Sequence, residues 1–121
     1  MPDPRENTIN YLELPVHDIA ASKDFFSNLF GWKFVDYGPD YSCFHGAGID
    51  GGFYTSAQYG FRSEGGPLIV FYYYDIDRIK AKITALSGKI IKDTYAFPGG
   101  RRFHFTDVND NEYAIWTDKP E

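Results

Sequence analysis

Polar side chains that could do acid–base or anion chemistry are concentrated near the carboxyl end of the chain. Arg102 and His104 are separated by one residue within a strand-like run, so a regular strand would place them on the same face. An imidazole can act as a general base, and a guanidinium can hold an oxyanion. A structural histidine and a surface arginine are the alternative interpretation. We therefore predict that both side chains line a pocket, and we leave a catalytic role for His104 open.

A carboxylate in the first strand-like run is the second candidate. Glu13 shares a strand face with Tyr11. A carboxylate in a strand covered by a helix needs a polar partner, and Arg102 and His104 are the candidates. A structural ion pair and a ligand contact are both compatible with this position. If Glu13 and His104 meet in a cavity, they form the best acid–base pair that the sequence offers.

Other candidate sites are weaker. Cys43 and His45 also share a strand face, but two such residues do not make a metal site, and Cys43 is typical of a small buried residue. Residues 97–102 include two adjacent glycines, which suit either an anion-binding loop or an ordinary turn. Acid and amide side chains alternate from 107 to 111 as in a calcium loop, but Glu112 replaces the required glycine. We interpret that segment as a turn.

The elements that must position these residues occur twice. Residues 18–31 and 75–88 resemble each other without a gap. Asp18 and Asp75 suit the first position of a helix, because a carboxylate can accept the unpaired first-turn N–H groups. Gly31 and Gly88 suit the left-handed residue that ends a helix. The repeat therefore predicts two equivalent helices.

Strand-like runs surround each predicted helix. They cover residues 9–16, 32–37, 41–45 and 51–55 in the first half, and 68–74, 89–93, 102–106 and 112–117 in the second. This order predicts an α+β fold in which two βαβββ modules form a curved mixed sheet with a central cleft. Module one spans about 8–57, module two spans about 67–118, and residues 57–66 link them within a single domain covering 1–121.

Composition restricts the class of protein. The chain has 121 residues, of which 43% are hydrophobic and 24% charged, which is typical of one globular domain. Aromatic residues reach 19%, so we expect some of them to line a pocket or an interface. A net charge of −5 argues against nucleic acid as a partner. One cysteine, no apolar span and no secretory signal predict a cytoplasmic protein without a membrane segment.

The order of the motifs resembles the glyoxalase / bleomycin-resistance / dioxygenase superfamily, also called the vicinal-oxygen-chelate superfamily. The similarity begins with Leu-Pro-Val-His-Asp and the helix that follows, and continues with Phe-Gly-Trp at 30–32. It includes Tyr-Asp-Ile-Asp at 74–77, the glycine-containing run at 97–103 and the Asp-Val-Asn-Asp-Asn-Glu turn at 107–112. The resemblance covers almost the whole chain and implies a single glyoxalase-like domain.

The resemblance also allows the metal site to be tested. Metal enzymes of this superfamily hold a divalent ion with His and Glu side chains, and the corresponding positions here are Tyr11, Leu68 and Ala114. Leucine and alanine cannot coordinate a metal. Glu112 shares a strand face with Ala114 and is the only substitute. We therefore expect no metal ligands and no cofactor, with a divalent metal as the open alternative.

The resemblance implies a homodimeric protein that binds a small molecule whose identity the sequence does not give. Its ligand-binding positions would be Tyr11, Glu13, Arg102, His104, Glu112 and Ala114. Bleomycin-resistance proteins, which are acidic dimers with aromatic clefts, fit this interpretation. One alternative is an enzyme similar to lactoylglutathione lyase that uses Glu13 and His104. Another is an accessory domain that binds protein through aromatic residues. Whether the modules pair within a chain or between chains stays open.

Overall fold

The two predicted modules are present in the computed structural model, which describes residues 3–60 and 65–120. Module one contains β1 (Tyr11–Val16), α1 (Ile19–Phe30), β2 (Lys33–Asp36), β3 (Tyr41–His45) and β4 (Asp50–Thr55). Module two contains β5 (Ile69–Tyr72), α2 (Ile76–Ala85), β6 (Lys89–Phe97), β7 (Gly100–Thr106) and β8 (Glu112–Thr117). The α+β class and the βαβββ order are confirmed. Of the predicted linker, 61–64 lie outside the described residues.

Each module forms its own four-stranded mixed sheet. The strand orders are β1-β4-β3-β2 and β5-β8-β7-β6, so both modules have the same topology. In each sheet the first strand runs parallel to the last strand, and the remaining pairs are antiparallel. The helix provides the crossover that a parallel pair requires. The curved sheet predicted from the sequence is thus divided into two hydrogen-bonded sheets.

The helix termini follow the predicted caps with one exception. Asp18 accepts a hydrogen bond from the Ala21 N–H, and Gly31 ends α1 in the left-handed region at φ 78°. At the end of α2 the left-handed residue is Ser87, at φ 75°, and not the predicted Gly88. Gly88 is needed for a different reason, because a Cβ there would lie 2.6 Å from the Cγ2 of Ile83.

Both sheets turn their inner faces toward one aromatic core. Phe26 of α1 lies with its ring centroid 5.7 Å from that of Phe53 on β4 and 5.5 Å from that of Tyr113 on β8. Phe25, the neighbouring residue, stacks at 6.4 Å on Phe105 of β7. One helix therefore packs against the inner faces of both sheets. The opposite faces, which we call the β1–β4 face and the β5–β8 face, are turned away from the core.

The aromatic residues divide between these two environments. The large buried side chains include most phenylalanines of the core, such as Phe26, Phe53, Phe103 and Phe105. Several tyrosines are exposed instead, among them Tyr11, Tyr54 and Tyr72 on the outer faces. A core that uses many aromatic rings accounts for part of the aromatic excess, and the outer tyrosines account for another part.

The turn between β7 and β8 fastens module two to module one. Asn109 accepts hydrogen bonds at its Oδ1 from the backbone N–H groups of His17 and Asp18, at 2.9 and 2.8 Å. Its Nδ2 donates to the Ser22 hydroxyl at 2.6 Å. Asn111 donates from its Nδ2 to the Pro15 carbonyl at 2.9 Å. The segment predicted to be a turn is confirmed, and its amides satisfy backbone groups where β1 leads into α1.

No helix in the described part of the chain is both long enough and apolar enough to cross a lipid bilayer.

The buried carboxyl of Asp107 makes stability dependent on pH. Its Oδ1 accepts hydrogen bonds from the backbone N–H groups of Asn109 and Asn111, at 2.8 and 3.0 Å. Burial nevertheless raises the pKa of Asp107 to about 7, and these two hydrogen bonds only partly oppose that rise. Because the folded pKa lies above the unfolded value, the protonated carboxyl stabilises the fold fully below about pH 4, and this contribution is lost as the pH rises through 7.

We expect Asp107→Asn to remove this pH dependence, since the amide oxygen can still accept both N–H groups but cannot ionise. The free energy of unfolding, measured by urea denaturation from pH 4 to 8, should fall with pH more steeply in the original protein than in the variant. The difference between the two slopes should be largest, at about 1.4 kcal/mol per pH unit, near pH 5.5, midway between the unfolded and folded pKa values, and should vanish above pH 8. Parallel curves across this range would contradict a raised pKa at Asp107.

Candidate functional site

The β5–β8 face brings together most of the predicted site residues. Arg102 and His104 alternate along β7 with core residues, and both turn outward. In the register of the sheet, His104 lies beside Ala114 and Arg102 lies beside Trp116, both on β8. Four of the six predicted ligand-binding residues therefore share this face: Arg102, His104, Glu112 and Ala114.

Four side chains on this face form a continuous hydrogen-bonded relay. The Nδ1 of His104 lies 2.8 Å from the Oε2 of Glu112, and the Nε2 of His104 lies 2.9 Å from the hydroxyl of Tyr95. The Nε of Arg102 donates to the same hydroxyl. His104 is almost fully buried, with its side chain 6% exposed, whereas Glu112 keeps 20%. We call this set the Arg102–Glu112 relay.

The chemistry of its two ends determines the direction of the relay. A guanidinium can only donate, and an ionised carboxylate can only accept. Arg102 therefore donates to Tyr95, Tyr95 donates to the Nε2 of His104, and the Nδ1–H of His104 donates to Glu112. Every position is satisfied when the imidazole is neutral.

Protonation of the imidazole would change what the relay offers to a ligand. If His104 gains a proton at Nε2, it donates to the oxygen of Tyr95, which already accepts from Arg102. The O–H of Tyr95 is then released from His104 and can be donated to another acceptor. A proton taken up at His104 thus appears as a new donor at Tyr95, which is the behaviour required of a general acid–base group.

Tyr95 belongs to the relay but was not predicted from the sequence. The sequence predicted that its strand would end at residue 93, but β6 continues to Phe97. The pairing between β6 and β7 shifts register between Lys92 and Tyr95, so simple alternation does not give the direction of the Tyr95 side chain. The Tyr-x-Phe pattern before the glycines was the only available signal, and it also fits an ordinary strand.

A recess of about 240 Å³ lies beside the relay. Its lining consists of Val70, Phe97, Arg102 and Trp116. The guanidinium carbon of Arg102 lies 5.5 Å from the ring centroid of Tyr95 and 5.8 Å from that of Phe97, which are cation–π distances. Pro98 and Gly99 make the tight turn between β6 and β7, with Gly99 at φ 118°. The segment forms a turn between two strands, as one of its two interpretations expected, and Phe97 and Arg102 at its ends line the recess.

The β1–β4 face carries a second hydrogen-bonded chain. Tyr41 donates its hydroxyl to the Oε2 of Glu13 at 2.8 Å, and the hydroxyl of Tyr11 lies 2.6 Å from that of Tyr41. The Sγ of Cys43 lies 3.2 Å from the Tyr11 hydroxyl. Cys43 is half-buried on this outer face and not part of the core as the sequence suggested. Gly52 makes room for Tyr41, because a Cβ there would lie 2.4 Å from the tyrosine hydroxyl.

Tyr11 and Tyr41, the two tyrosines of this hydrogen-bonded network, hold their protons more strongly than usual. Burial, followed by the hydrogen bonds to Tyr11 and Glu13, raises the pKa of Tyr41 well above its ordinary range. The contact with Cys43 is the largest cause of the raised pKa of Tyr11. Tyr41 therefore remains a donor to Glu13 at any physiological pH.

Within one chain, Glu13 and His104 do not form the acid–base pair that the sequence suggested. In the described part of the chain, Glu13 is bonded to Tyr41, and His104 is bonded to Glu112 and Tyr95. The two residues stand on different sheets, Glu13 on β1 and His104 on β7, and each side chain is turned away from the shared core. They therefore belong to separate hydrogen-bonded networks.

The usual metal positions do not fit a divalent ion. The hydroxyl of Tyr11 is engaged by Tyr41 and Cys43. Ala114 is fully buried and has no ligand atom. Glu112, the possible substitute, is bonded to His104. Over residues 3–60 and 65–120, no three His, Cys, Asp or Glu side chains converge into a group that could hold a metal.

Known structures share this architecture. A glyoxalase/bleomycin resistance protein/dioxygenase family enzyme from Burkholderia phytofirmans superposes with a TM-score of 0.76 at 17% identity, over 91% of this chain and 98% of that one. Residues 8–47 match the family model described as bleomycin resistance protein-like N-terminal. The chain has the glyoxalase / bleomycin-resistance fold. The resemblance seen in the sequence is thereby confirmed.

Two further structures show how widely this glyoxalase-like fold is shared. A protein of Agrobacterium tumefaciens, solved by NMR, has a TM-score of 0.77 at 21% identity, over 93% of this chain and 99% of that one. The fosfomycin resistance protein FosX from Listeria monocytogenes, complexed with Mn(II) and 1S,2S-dihydroxypropylphosphonic acid, has a TM-score of 0.74 at 19% identity, over 93% and 91%. No curated protein matches the chain by sequence.

The direction of the relay predicts the tautomer of His104. Long-range ¹H–¹⁵N correlation spectra, recorded at a pH where the imidazole is neutral, should show the proton on Nδ1, where Glu112 accepts it. Glu112→Ala should shift the population toward the Nε2–H form, because the acceptor at Nδ1 is lost. His17, which is exposed and stacks on Tyr59, provides an internal control in the same spectra. A proton on Nε2 in the unmodified protein would contradict the proposed direction.

Proposed function

We propose that this protein is a homodimer that binds a small molecule in clefts between chains and does so without the usual metal site. Each cleft would have the β5–β8 face of one subunit as one wall and the β1–β4 face of the other subunit as the opposite wall. The observation that carries this proposal is that the polar networks of the two outer faces are separate. Each face bears an ordered network of polar and aromatic side chains, and no hydrogen bond joins the two networks within the described part of the chain.

The small size of the recess supports the proposal that the other subunit supplies a second wall of the binding site. Pockets for drug-sized ligands usually have volumes of about 300–1,000 Å³, and they bury most of the ligand surface. The recess at Arg102 has about 240 Å³ and is shallow enough to leave Val70 39% exposed. A twofold dimer would cover both outer faces and would create two identical clefts.

The residues themselves support metal-free binding. The ligand would meet hydrogen-bond donors and acceptors of the Arg102–Glu112 relay, with Tyr11 and Glu13 on the opposite wall. FosX shares the fold and is complexed with a small phosphonate together with Mn(II), which supports a small-molecule site in the present chain but not its metal-free character. The free cysteine favours a reducing, cytoplasmic setting. The net charge of −5 disfavours nucleic acid as the partner.

We expect light scattering after size-exclusion chromatography to give the mass of a dimer. Val35→Arg places a charge on the β1–β4 face, where Val35 is 45% exposed, and should shift the equilibrium toward monomer by desolvating an unpaired charge. Val108→Arg is the matched control, because Val108 is 38% exposed on the turn between β7 and β8. A monomer at high concentration in the unmodified protein would contradict the proposed cleft.

An enzyme similar to lactoylglutathione lyase is the second candidate, and the relay is the observation that favours it. Glutamate, histidine and tyrosine in series can move a proton to or from a bound substrate. In the proposed dimer, Glu13 of the partner subunit would belong to the wall opposite His104, which would restore the acid–base pair between chains.

For this candidate we expect any S-lactoylglutathione formed from glutathione and methylglyoxal to depend on His104. His104→Ala should reduce the rate at least 100-fold, the lower end of the contribution of a general base. His17→Ala is the control, since His17 is exposed at the end of β1 and outside both networks. Turnover that survives in His104→Ala would remove this residue from the mechanism.

A further inference from the structure

We infer that the recess at Arg102 binds the carboxylate of a small aromatic acid with a single ring. Arg102 would hold the carboxylate, and Trp116 and Phe97 would contact the ring. This inference specifies the ligand class for the site proposed above. It rests on that proposal only for the second wall of the cleft.

The first argument is the unused donors of Arg102. Its Nε donates to Tyr95, whereas its two terminal nitrogens have no hydrogen-bond partner among the residues that the structure describes. The side chain is half-buried and fixed between aromatic rings, so its orientation is set before a ligand arrives. A planar guanidinium with free N–H groups matches a carboxylate through two parallel hydrogen bonds.

The second argument is the shape and chemistry of the walls. The ring centroid of Trp116 lies 5.2 Å from that of Tyr72 and 6.3 Å from that of Phe97, and both pairs cross at steep angles. These rings present apolar surfaces beside Arg102 and leave a volume of about 240 Å³. The volume is below the usual range for drug-sized ligands, which limits the part held by this wall to about one ring.

The third argument is the local charge. The chain carries a net charge of −5, yet the cations Lys92 and Arg102 both lie against the ring of Tyr95. The carboxylate of Glu112 is bonded to His104, and that of Asp118 accepts a hydrogen bond from Tyr72. The acidic groups of this face therefore have partners, while Arg102 has donors to spare. This arrangement favours an anionic ligand at Arg102, although the net charge of the chain is negative.

The test uses benzoate as the probe, with acetate and benzylamine as comparison ligands, in isothermal titration calorimetry of the full chain. We expect benzoate to bind more tightly than either, because only benzoate combines a ring with a carboxylate. Arg102→Gln should weaken benzoate binding at least about tenfold, the loss expected for a charge-assisted hydrogen bond. Arg78→Gln removes the same charge from an exposed position on α2 and should leave binding unchanged. Circular dichroism of both variants establishes that they are folded.

Three results would overturn the inference. The first is that Arg102→Gln binds benzoate as tightly as the unmodified protein does. The others are that acetate binds as tightly as benzoate, or that benzylamine binds more tightly than benzoate. Failure of the dimer is a separate outcome. A monomer that still binds benzoate through Arg102 would support this site and refute the cleft between chains. A dimer that does not bind benzoate would refute this site and leave the proposed dimer intact.

Discussion

The packing of α1 between the two sheets is the constraint on which the rest of the structure depends. Phe26 and its neighbour Phe25 contact core residues of both modules, so neither sheet can turn its other face inward without exposing this aromatic cluster. Burial of large aromatic side chains is the dominant favourable contribution in a core of this size. Asn109 and Asn111 add directional hydrogen bonds between the same two modules, which fix how module two is placed against the β1–α1 connection.

The polar side chains on the opposite faces of the sheets form two networks that do not meet within the described residues, and this changes the roles that Glu13 and His104 can have. Glu13 and His104 would be one acid–base pair if the modules enclosed a cleft within the chain. Glu13 instead belongs to a network with Tyr41, and His104 belongs to a separate network with Tyr95 and Glu112. In the dimer that we propose, twofold symmetry would pair each of these faces with its complement on the other subunit.

The relay lies on the same face as Ala114, one of the positions at which the resemblance to metal enzymes would place a ligand. Ala114 takes the place of one such ligand, and Glu112 on the same strand is turned to His104. The side chains that remain are suited to hold an oxyanion and to move a proton. Arg102 supplies fixed positive charge, and the Tyr95 hydroxyl can change from donor within the protein to donor toward a ligand when His104 is protonated. In the proposed site, Arg102 would position an anionic group where a metal ion would otherwise do so.

The sequence alone determined the elements, because helix caps, hydrophobic spacing and strand alternation act over a few residues. Asp18, Gly31 and the alternation of Arg102 with Phe103 were sufficient to place α1 and the outer residues of β7. The register shift in β6 that directs Tyr95 toward His104 depends on pairing with β7. The alternation of residues along β6 alone does not predict this shift. The separation of Glu13 from His104 depends on how two sheets share one core. That was decided only in the tertiary structure, since contacts between residues distant in sequence determine which face of each sheet is buried.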